Sequence, residues 1–520
     1  MRVGKCGFKL ADMEWDTYRS EFAAHREAQA RALYERHAGL PLSVPPTVTD
    51  ERFSDLWQLA NLNARAQEFS EATFFTETEQ RGDGALLNAL RMDYVRTQTS
   101  ALAAEIGRYD NAMRLSWPEH DITAHNFTTA IAQETRAATR QELALRWAEQ
   151  IHGGNDLRAA LWHERQEAVR VLGYAGGGEF YEALSGTNLT DLARSAGSFL
   201  QTTEAVYRAE LARLTPQWRP DEARPQLTWA DWLFWINQPL AHPAFPAHDL
   251  LPAYSDVVRG LGWRAGPQSN LIFDTIARTG KSAATACYGV RPPTEVRVTC
   301  VPATGVKSYR AFFAAAGRAQ HQAWTARDWL ARQPALVFTP DTALNEGYAA
   351  LWGGLLGDAG WLCEYRAGLA PEAAHALARA EAFRLLAQTR RDCALLLYEL
   401  ACYAADGPDE ALIQQMYVGG LREATGFVPE AVWAGAASDA PLACATRLRG
   451  VLLATMLGEY LRVHYGRRWW AVRRAGDDLV DWWNTGSRYH AEELAPLVGA
   501  GALSFELLAD NLLSAVRAKP

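Results

Sequence analysis

The residues best suited to chemistry are concentrated between positions 274 and 357 of the 520-residue chain. This segment contains an imidazole at His321 and a carboxylate at Glu346, and its two thiols are those of Cys287 and Cys300. A cysteine within hydrogen-bond reach of a histidine forms a nucleophile. Histidine and glutamate side chains also bind zinc and transfer protons. The segment therefore offers residues for thiol, metal or acid–base chemistry.

The elements that must position these residues are mostly helices. Segments rich in Ala, Leu, Arg and Glu, with apolar residues three or four positions apart, predict helix. They cover residues 14–36, 50–80, 86–113, 128–150, 156–172, 189–214, 249–261 and 510–518. The run AGGGE at 175–179 predicts a loop between helices, because glycine opposes helix formation.

One stretch has a β pattern instead. Residues 285–301 read TACYGV, RPPT and EVRVTCV, so that two β-prone runs flank a proline turn. This order predicts a β-hairpin. We therefore expect a mainly α fold with a small β-hairpin beside the candidate site.

Composition excludes several classes of protein. The net charge is −8 and no long Lys/Arg run is present, which argues against a nucleic-acid partner. No stretch approaches the roughly 20 apolar residues that span a bilayer. The seven cysteines are odd in number and form no CxxC pair, which indicates reduced thiols. Because the start also lacks the apolar run of a signal peptide, we expect a cytoplasmic protein without a membrane partner.

Two motifs carry a resemblance to a known family. KSYRAFFAAAGRAQH at 307–321 and FTPDTALNEGYAALWGG at 338–354 resemble the catalytic core of helical zinc oligopeptidases, the gluzincins of the thimet oligopeptidase and angiotensin-converting-enzyme type. In that family a sheet edge precedes a helix bearing HExGH, and a second helix brings a glutamate ligand to the same metal. Gly317 matches the motif glycine, and the run that begins at Asn345 matches the start of the second helix.

The departures from that pattern imply that the zinc site is lost. Aligned on Gly317, the first zinc histidine falls at Ala314, the general-base glutamate at Ala315 and the second histidine at Arg318. Only Glu346 remains as a metal ligand. Zinc needs three protein ligands and an open water position, and alanine does not act as a base. We therefore expect no catalytic residue, no metal and no cofactor.

The resemblance also suggests what replaces the metal. It places Arg318 where a metal ligand would point, so we expect its guanidinium to pair with Glu346. The alternative is that Glu346 only favours its helix N-terminus while Arg318 extends to solvent. His321, Tyr348 and Arg447 complete the expected ligand-binding set of the cleft. The segment around Arg447 aligns with a tyrosine-bearing motif of the family but contains no tyrosine.

The resemblance spans most of the chain and implies one peptidase-like body of two helical lobes around a central cleft. Residues 1–200 form the N-terminal lobe, and residues 201–520 form the lobe with the degenerate core and the C-terminal helices. The first dozen residues are expected to be an extension. The leading interpretation is a pseudopeptidase that binds peptides or a protein partner in the old cleft. The strand edge of the hairpin offers backbone hydrogen bonds for such a ligand.

Two other interpretations stay open. The first is an enzyme of another kind, in which Cys287, Cys300 or Cys444 pairs with His321 as a nucleophile. The second is a metallopeptidase with relocated or unaligned ligands, in which His321 joins Glu346.

Overall fold

The computed structural model describes residues 15–44, 51–118, 121–220, 226–238, 242–263, 268–366, 368–404, 410–437 and 441–518. The first dozen residues, for which the sequence predicts an extension, lie outside these ranges, as does Cys6. Within the described part of the chain the fold is mainly α, as predicted, and its strands form only two small sheets.

The N-terminal part of the chain is a succession of helices joined by short turns. In chain order they are α1 (Trp15–His37), α2 (Leu59–Glu71), α3 (Glu77–Gln98), α4 (Ser100–Ala112), α5 (Phe127–Gln133), α6 (Ala137–His152), α7 (Asn155–Val171), α8 (Gly177–Ser185) and α9 (Leu189–Trp218). A two-stranded antiparallel pair, β1 (Arg114–Leu115) and β2 (Ile122–Thr123), separates α4 from α5.

The rest of the chain adds the remaining helices and a three-stranded sheet. The helices are α10 (Trp229–Ile236), α11 (Leu250–Gly260), α12 (Val306–Trp324), α13 (Arg327–Arg332), α14 (Ala343–Gly353), α15 (Ala359–Tyr365), α16 (Pro371–Ala404), α17 (Glu410–Thr425), α18 (Trp433–Ala437), α19 (Ala443–Tyr465), α20 (Arg473–Asn484), α21 (Ala491–Leu497) and α22 (Phe505–Arg517). Short 3-10 turns connect several of them.

The predicted hairpin is present and is part of the larger sheet. β4 (Ala286–Arg291) pairs antiparallel with β5 (Glu295–Thr299), with Cys287 opposite Val298. The sequence did not predict β3 (Leu271–Asp274), which pairs parallel with β5 and makes it the central strand. A strand of four residues has too little periodicity to be recognised.

Several sequence expectations about the helices are wrong. Residues 86–113 are not one helix, because α3 ends at Gln98 and α4 begins at Ser100. Residues 128–150 are likewise divided between α5 and α6. Residues 50–80 do not form one helix, because α2 ends at Glu71 and a capping box between Thr76 and Glu79 starts α3. The glycine run at 175–179 is not a loop throughout, since α8 begins at Gly177. A Cβ on Gly177 would lie 2.7 Å from the ring of Tyr403, so the glycine leaves room for that ring.

Among the described residues, four buried apolar clusters hold these elements together. The largest joins the three-stranded sheet to α12, α14, α15 and α20. A second joins α9, α10, α16, α17, α19 and α22. Two smaller ones lie mainly in the N-terminal helices, and each includes a buried residue from later in the chain, Ala335 or Ala230. No helix within the described ranges is both long and apolar enough to cross a membrane. The two larger clusters meet along α19, beside the candidate site.

Candidate functional site

Close packing of α12, α14 and α19 builds the candidate site. A Cβ on Gly317 of α12 would clash with the carbonyl oxygen of Tyr348 on α14. A Cβ on Gly450 of α19 would lie 2.6 Å from the Cβ of Glu346. Both helices therefore approach α14 closely only because these positions are glycine. This approach brings Arg318, the residue after Gly317, within reach of Glu346.

Arg318 and Glu346 form an ion pair. Nη2 of Arg318 donates to Oε2 of Glu346 at 2.7 Å. Their side chains are 31% and 29% exposed, so the pair is half-buried and not enclosed. The ion pair expected from the sequence is therefore present, and Arg318 does not extend freely into solvent. The large penalty of an isolated buried charge does not apply at this exposure.

The ion pair lies in a cleft. A cavity of about 460 Å³ is lined by both side chains and by small residues of α12 and α14, among them Ala314, Ala350 and Gly353. A second cavity of about 310 Å³ shares Glu346 and Arg447 with the first. The two cavities are therefore neighbouring parts of one cleft, with Glu346 at their junction.

The positions assigned to lost catalytic residues separate into two environments. Ala314 and Arg318, one turn apart, both line the cleft. Ala315, where the resemblance places the general base, is fully buried in the apolar core. Successive helical residues point about 100° apart, so a residue beside Ala314 faces a different neighbour. Arg447 does line the cleft and binds Asp392 through two hydrogen bonds of 2.6 and 2.9 Å.

His321 and Tyr348, expected as cleft residues, are buried in the core. The ring nitrogens of His321 contact the Asn345 amide at 2.8 Å and the carbonyl oxygen of Gly486 at 3.1 Å. Burial lowers the pKa of His321, which favours the neutral ring. Tyr348 is fully buried, packs against His321, and has its pKa raised by burial. Gly486 contacts His321 and Trp483 of α20 packs against Tyr348, so this part of the chain covers both side chains.

The residues present do not fit a zinc ion. The remaining carboxylate of the motif, Glu346, is bound by a guanidinium, and both ring nitrogens of His321 are hydrogen-bonded elsewhere. Across the described ranges there is no group of three His, Cys, Asp or Glu side chains arranged to hold a metal. The relocated site of His321 and Glu346 therefore gains no support from the geometry.

The three cysteines considered as partners of His321 are poorly suited to nucleophilic chemistry. Burial raises the pKa of Cys287 to about 12 and that of Cys300 to about 11. Burial, with nearby Glu399, also raises the pKa of Cys444. Since the thiolate is the nucleophile, the raised pKa values make these three thiols weak nucleophiles near neutral pH. The partners of His321 are an amide and a carbonyl, so it activates none of the three.

The strand edge does not reach the cleft. β4 is an edge of its sheet, but α1 packs against it, with the side chains of Tyr34 and His37 contacting Tyr288. The residues that line the two cavities come from helices and their connecting loops, and none belongs to β4. A ligand in the cleft would therefore contact side chains and helix ends.

Sequence reasoning missed a polar cluster at the second cavity. Arg449 is fully buried, and its guanidinium binds the carboxylates of Asp341 and Glu492 at distances of 2.6 to 3.0 Å. His490 also contacts Asp341 at 3.0 Å. Tyr181 of α8 contacts the hydroxyl of Thr446 on α19 at 2.9 Å. These residues come from four distant parts of the chain, so no local motif could identify them.

Tyr181 is of interest because the segment of α19 around Arg447, which aligns with a tyrosine-bearing motif of the family, contains no tyrosine. Its side chain lines the second cavity together with Glu346 and Arg447. Burial raises the pKa of Tyr181, so the hydroxyl stays protonated at neutral pH. The cleft therefore contains a tyrosine hydroxyl, which is supplied by α8 in the N-terminal part of the chain.

Comparison with solved structures identifies the fold. The structure of the Pyrococcus furiosus carboxypeptidase in an apo-Mg form is similar, with a TM-score of 0.62 and 13% identity over 96% of this chain and 97% of that one. Trypanosoma cruzi metallocarboxypeptidase 1 is similar with a TM-score of 0.63 and 11% identity over 97% and 98% of the two chains. No family model matches the sequence, and no curated protein matches it. At these identities the similarity shows a metallocarboxypeptidase-like helical fold, and the narrower gluzincin assignment stays a prediction.

Proposed function

We propose that this chain is a pseudopeptidase that binds peptides in the cleft without hydrolysing them. The observation that carries the proposal is the ion pair between Arg318 and Glu346. The resemblance assigns metal ligands to position 314 and to these two positions, and the three side chains face one cleft. They provide a methyl group, a guanidinium and one carboxylate that is already bound. This set has neither the ligands for zinc nor a base to activate water.

The cleft supports the binding part of the proposal. Its two cavities, of about 460 and 310 Å³, fall in the range of small-molecule and peptide sites. Small residues on α12 and α14 form one wall, whereas charged side chains of α16 and α19 line the other parts. Such a surface offers apolar contact with a few polar anchors.

The proposal includes the two-lobed organisation expected from the sequence. The second cavity is lined by Met92 and Tyr181 from residues 1–200 and by Asp341, Glu346 and Arg447 from residues 201–520. A cleft between two lobes of one gluzincin-like body would have this mixed lining. A protein partner that inserts an extended segment would use the same surface.

A peptide library tests hydrolysis and binding together. The chain is incubated with added zinc and a mixed library, and mass spectrometry compares the peptides retained with those in solution. We expect retained peptides and no cleavage products. Zinc-dependent cleavage that disappears in Glu346→Gln would contradict the loss of catalysis, and an absence of retained peptides would contradict binding.

A pair of variants assigns the retention to the cleft. Ala350→Phe places a ring in the cleft that Ala350 lines, so we expect it to lose most of the retained peptides. Ala311→Phe adds the same ring at an exposed position of α12 that does not line the cleft, and we expect retention to be unchanged. Equal retention by both variants would show that peptides bind elsewhere.

A further inference from the structure

The cleft has an excess of positive charge inside an acidic protein. The chain carries a net charge of −8. The larger cavity, however, is lined by six arginines and three carboxylates, a formal excess of three positive charges. The arginines are Arg310, Arg318, Arg384, Arg391, Arg447 and Arg462, and the carboxylates are Glu346, Glu381 and Asp392. A local sign opposite to that of the whole molecule indicates the charge of the ligand.

Two of the carboxylates are each shared between two guanidiniums. Glu381 accepts hydrogen bonds from Arg310 at 2.7 and 2.8 Å and from Arg384 at 3.0 Å. Burial lowers the pKa of Arg384 to about 10, and the charge of Arg310 acts in the same direction. One carboxylate therefore does not fully compensate the two cations on α12 and α16.

Asp392, which follows Glu381 on α16, is also shared between two guanidiniums. Asp392 binds Arg447 at 2.6 Å and Arg391 at 3.4 Å. The Arg391 side chain is 31% exposed, and its contact with Asp392 is long. Arg462 pairs at 2.7 Å with Glu459, which does not line the cavity. Guanidinium groups on α16 and α19 thus have donor capacity that a ligand could use.

We propose that the cleft selects acidic peptides, whose side-chain carboxylates bind the arginines of α12, α16 and α19. This inference rests on the proposed peptide-binding function. Arg310 and Arg318 are eight residues apart on α12, a separation of about 12 Å along the helix axis. In an extended peptide, residues i and i+4 lie on the same face about 13 Å apart. A peptide with glutamates four positions apart therefore matches the two arginines of α12.

Three blocked peptides test the charge preference. Each nonapeptide is N-acetylated and C-amidated, and two positions four residues apart carry Glu, Gln or Lys. Fluorescence anisotropy at low and high salt gives the affinities. We expect the Glu peptide to bind at least about tenfold more tightly than the Gln peptide, as charge-assisted hydrogen bonds do, with the Lys peptide weakest. The advantage falls as salt rises.

The outcomes separate this inference from the proposed function. Equal binding of the three peptides would overturn the acidic preference and leave peptide binding intact. Binding of none of them, nor of any library peptide, would overturn the proposed function itself. A fourth peptide with Gln side chains and a free C-terminus tests the other source of a carboxylate. If it matches the blocked Glu peptide, recognition of side-chain carboxylates is overturned.

Single arginine variants locate the recognition. Arg462→Gln removes one cleft charge whose partner is three residues away on the same helix. Arg259→Gln removes the same kind of pair, with Asp256, from α11 outside the cleft. We expect Arg462→Gln to lower the affinity for the Glu peptide by about five- to tenfold and the affinity for the Gln peptide by less than about twofold. The second leaves both affinities unchanged. Equal effects of the two variants on the Glu peptide would contradict recognition in the cleft.

Discussion

At the scale of the residue, the distinctive feature of the cleft is the ion pair between Arg318 and Glu346. Their 2.7 Å contact joins a permanent cation to the one carboxylate of the motif that the sequence retains. A guanidinium keeps its charge at every physiological pH and has no lone pair to offer a metal. In the proposed pseudopeptidase, a guanidinium at the position of a metal ligand would keep a positive charge in the cleft without the capacity to activate water.

The exposure of the pair sets its contribution to stability. Because both side chains are about 30% exposed, we expect Arg318→Gln to lower the free energy of unfolding by about 1 kcal/mol. Arg468→Gln is the control, since Arg468 pairs with Glu364 at the surface and is 68% exposed. Urea denaturation should show a smaller loss for the control. A loss above about 3 kcal/mol in Arg318→Gln would mean that the pair is enclosed.

The polar cluster around Asp341 makes stability depend on pH. Burial would raise the pKa of Asp341, but hydrogen bonds from His490 and Arg449 outweigh it and lower the pKa to about 2. A carboxyl group with a depressed folded-state pKa stabilises the protein above its unfolded pKa, near 4. That contribution is lost as pH falls from about 4 toward 2.

The stability difference between the natural chain and Asp341→Asn should therefore become smaller in acid. We expect the difference in unfolding free energy between the natural chain and this variant to shrink by about 1 to 2 kcal/mol between pH 6 and pH 3. Urea titrations across this range measure the difference. Asp256→Asn, on α11 and away from this cluster, is the control for loss of an ion-paired carboxylate. A constant difference for Asp341→Asn would contradict the depressed pKa.

At the scale of the element, the site depends on glycines that let helices approach. Gly317 and Gly450 allow α12 and α19 to pack closely on both sides of α14. A methyl group at either position would push the helices apart. The ion pair would then be separated even though neither of its residues had changed.

Gly317→Ala tests this dependence. The added Cβ would clash with the Tyr348 carbonyl oxygen, which is backbone and cannot rotate away. We expect a loss of about 2 to 3 kcal/mol in unfolding free energy by chemical denaturation. Gly197→Ala, on α9 with no atom within 4 Å of the new Cβ, is the control and should be neutral or stabilising by up to about 1 kcal/mol. Equal effects of the two substitutions would show that α12 and α14 do not need this approach.

At the scale of the whole molecule, the features that the sequence predicted correctly are those that depend on local sequence pattern. Helical periodicity predicted a mainly α protein, and the β-prone runs around the prolines predicted the hairpin. The two motifs predicted that Arg318 and Glu346 meet, because each motif lies on one helix and the resemblance related the helices to each other. The short strand β3 and the break before α3 depend on pairing and capping, which periodicity does not show.

The remaining features of the site depend on packing between distant segments. The orientation of His321 and Tyr348 toward the core is determined by α20 and α21, which follow them by more than a hundred residues. The arginines of α16 reach the cleft only because that helix packs beside α19. A segment-by-segment reading of the sequence shows these residues but does not show that they come together in the folded protein.

Zinc stoichiometry tests the central claim most directly. The chain is dialysed against buffer with micromolar zinc, and bound metal is measured by mass spectrometry for the natural sequence, for Glu346→Gln and for a double variant, Ala314→His with Arg318→His. The double variant restores two histidines one turn apart beside Glu346, so it should bind about one zinc ion per chain. The natural chain should retain far less than one ion, and Glu346→Gln should not change that value. One zinc per natural chain, lost in Glu346→Gln, would contradict the replacement of the metal by an ion pair.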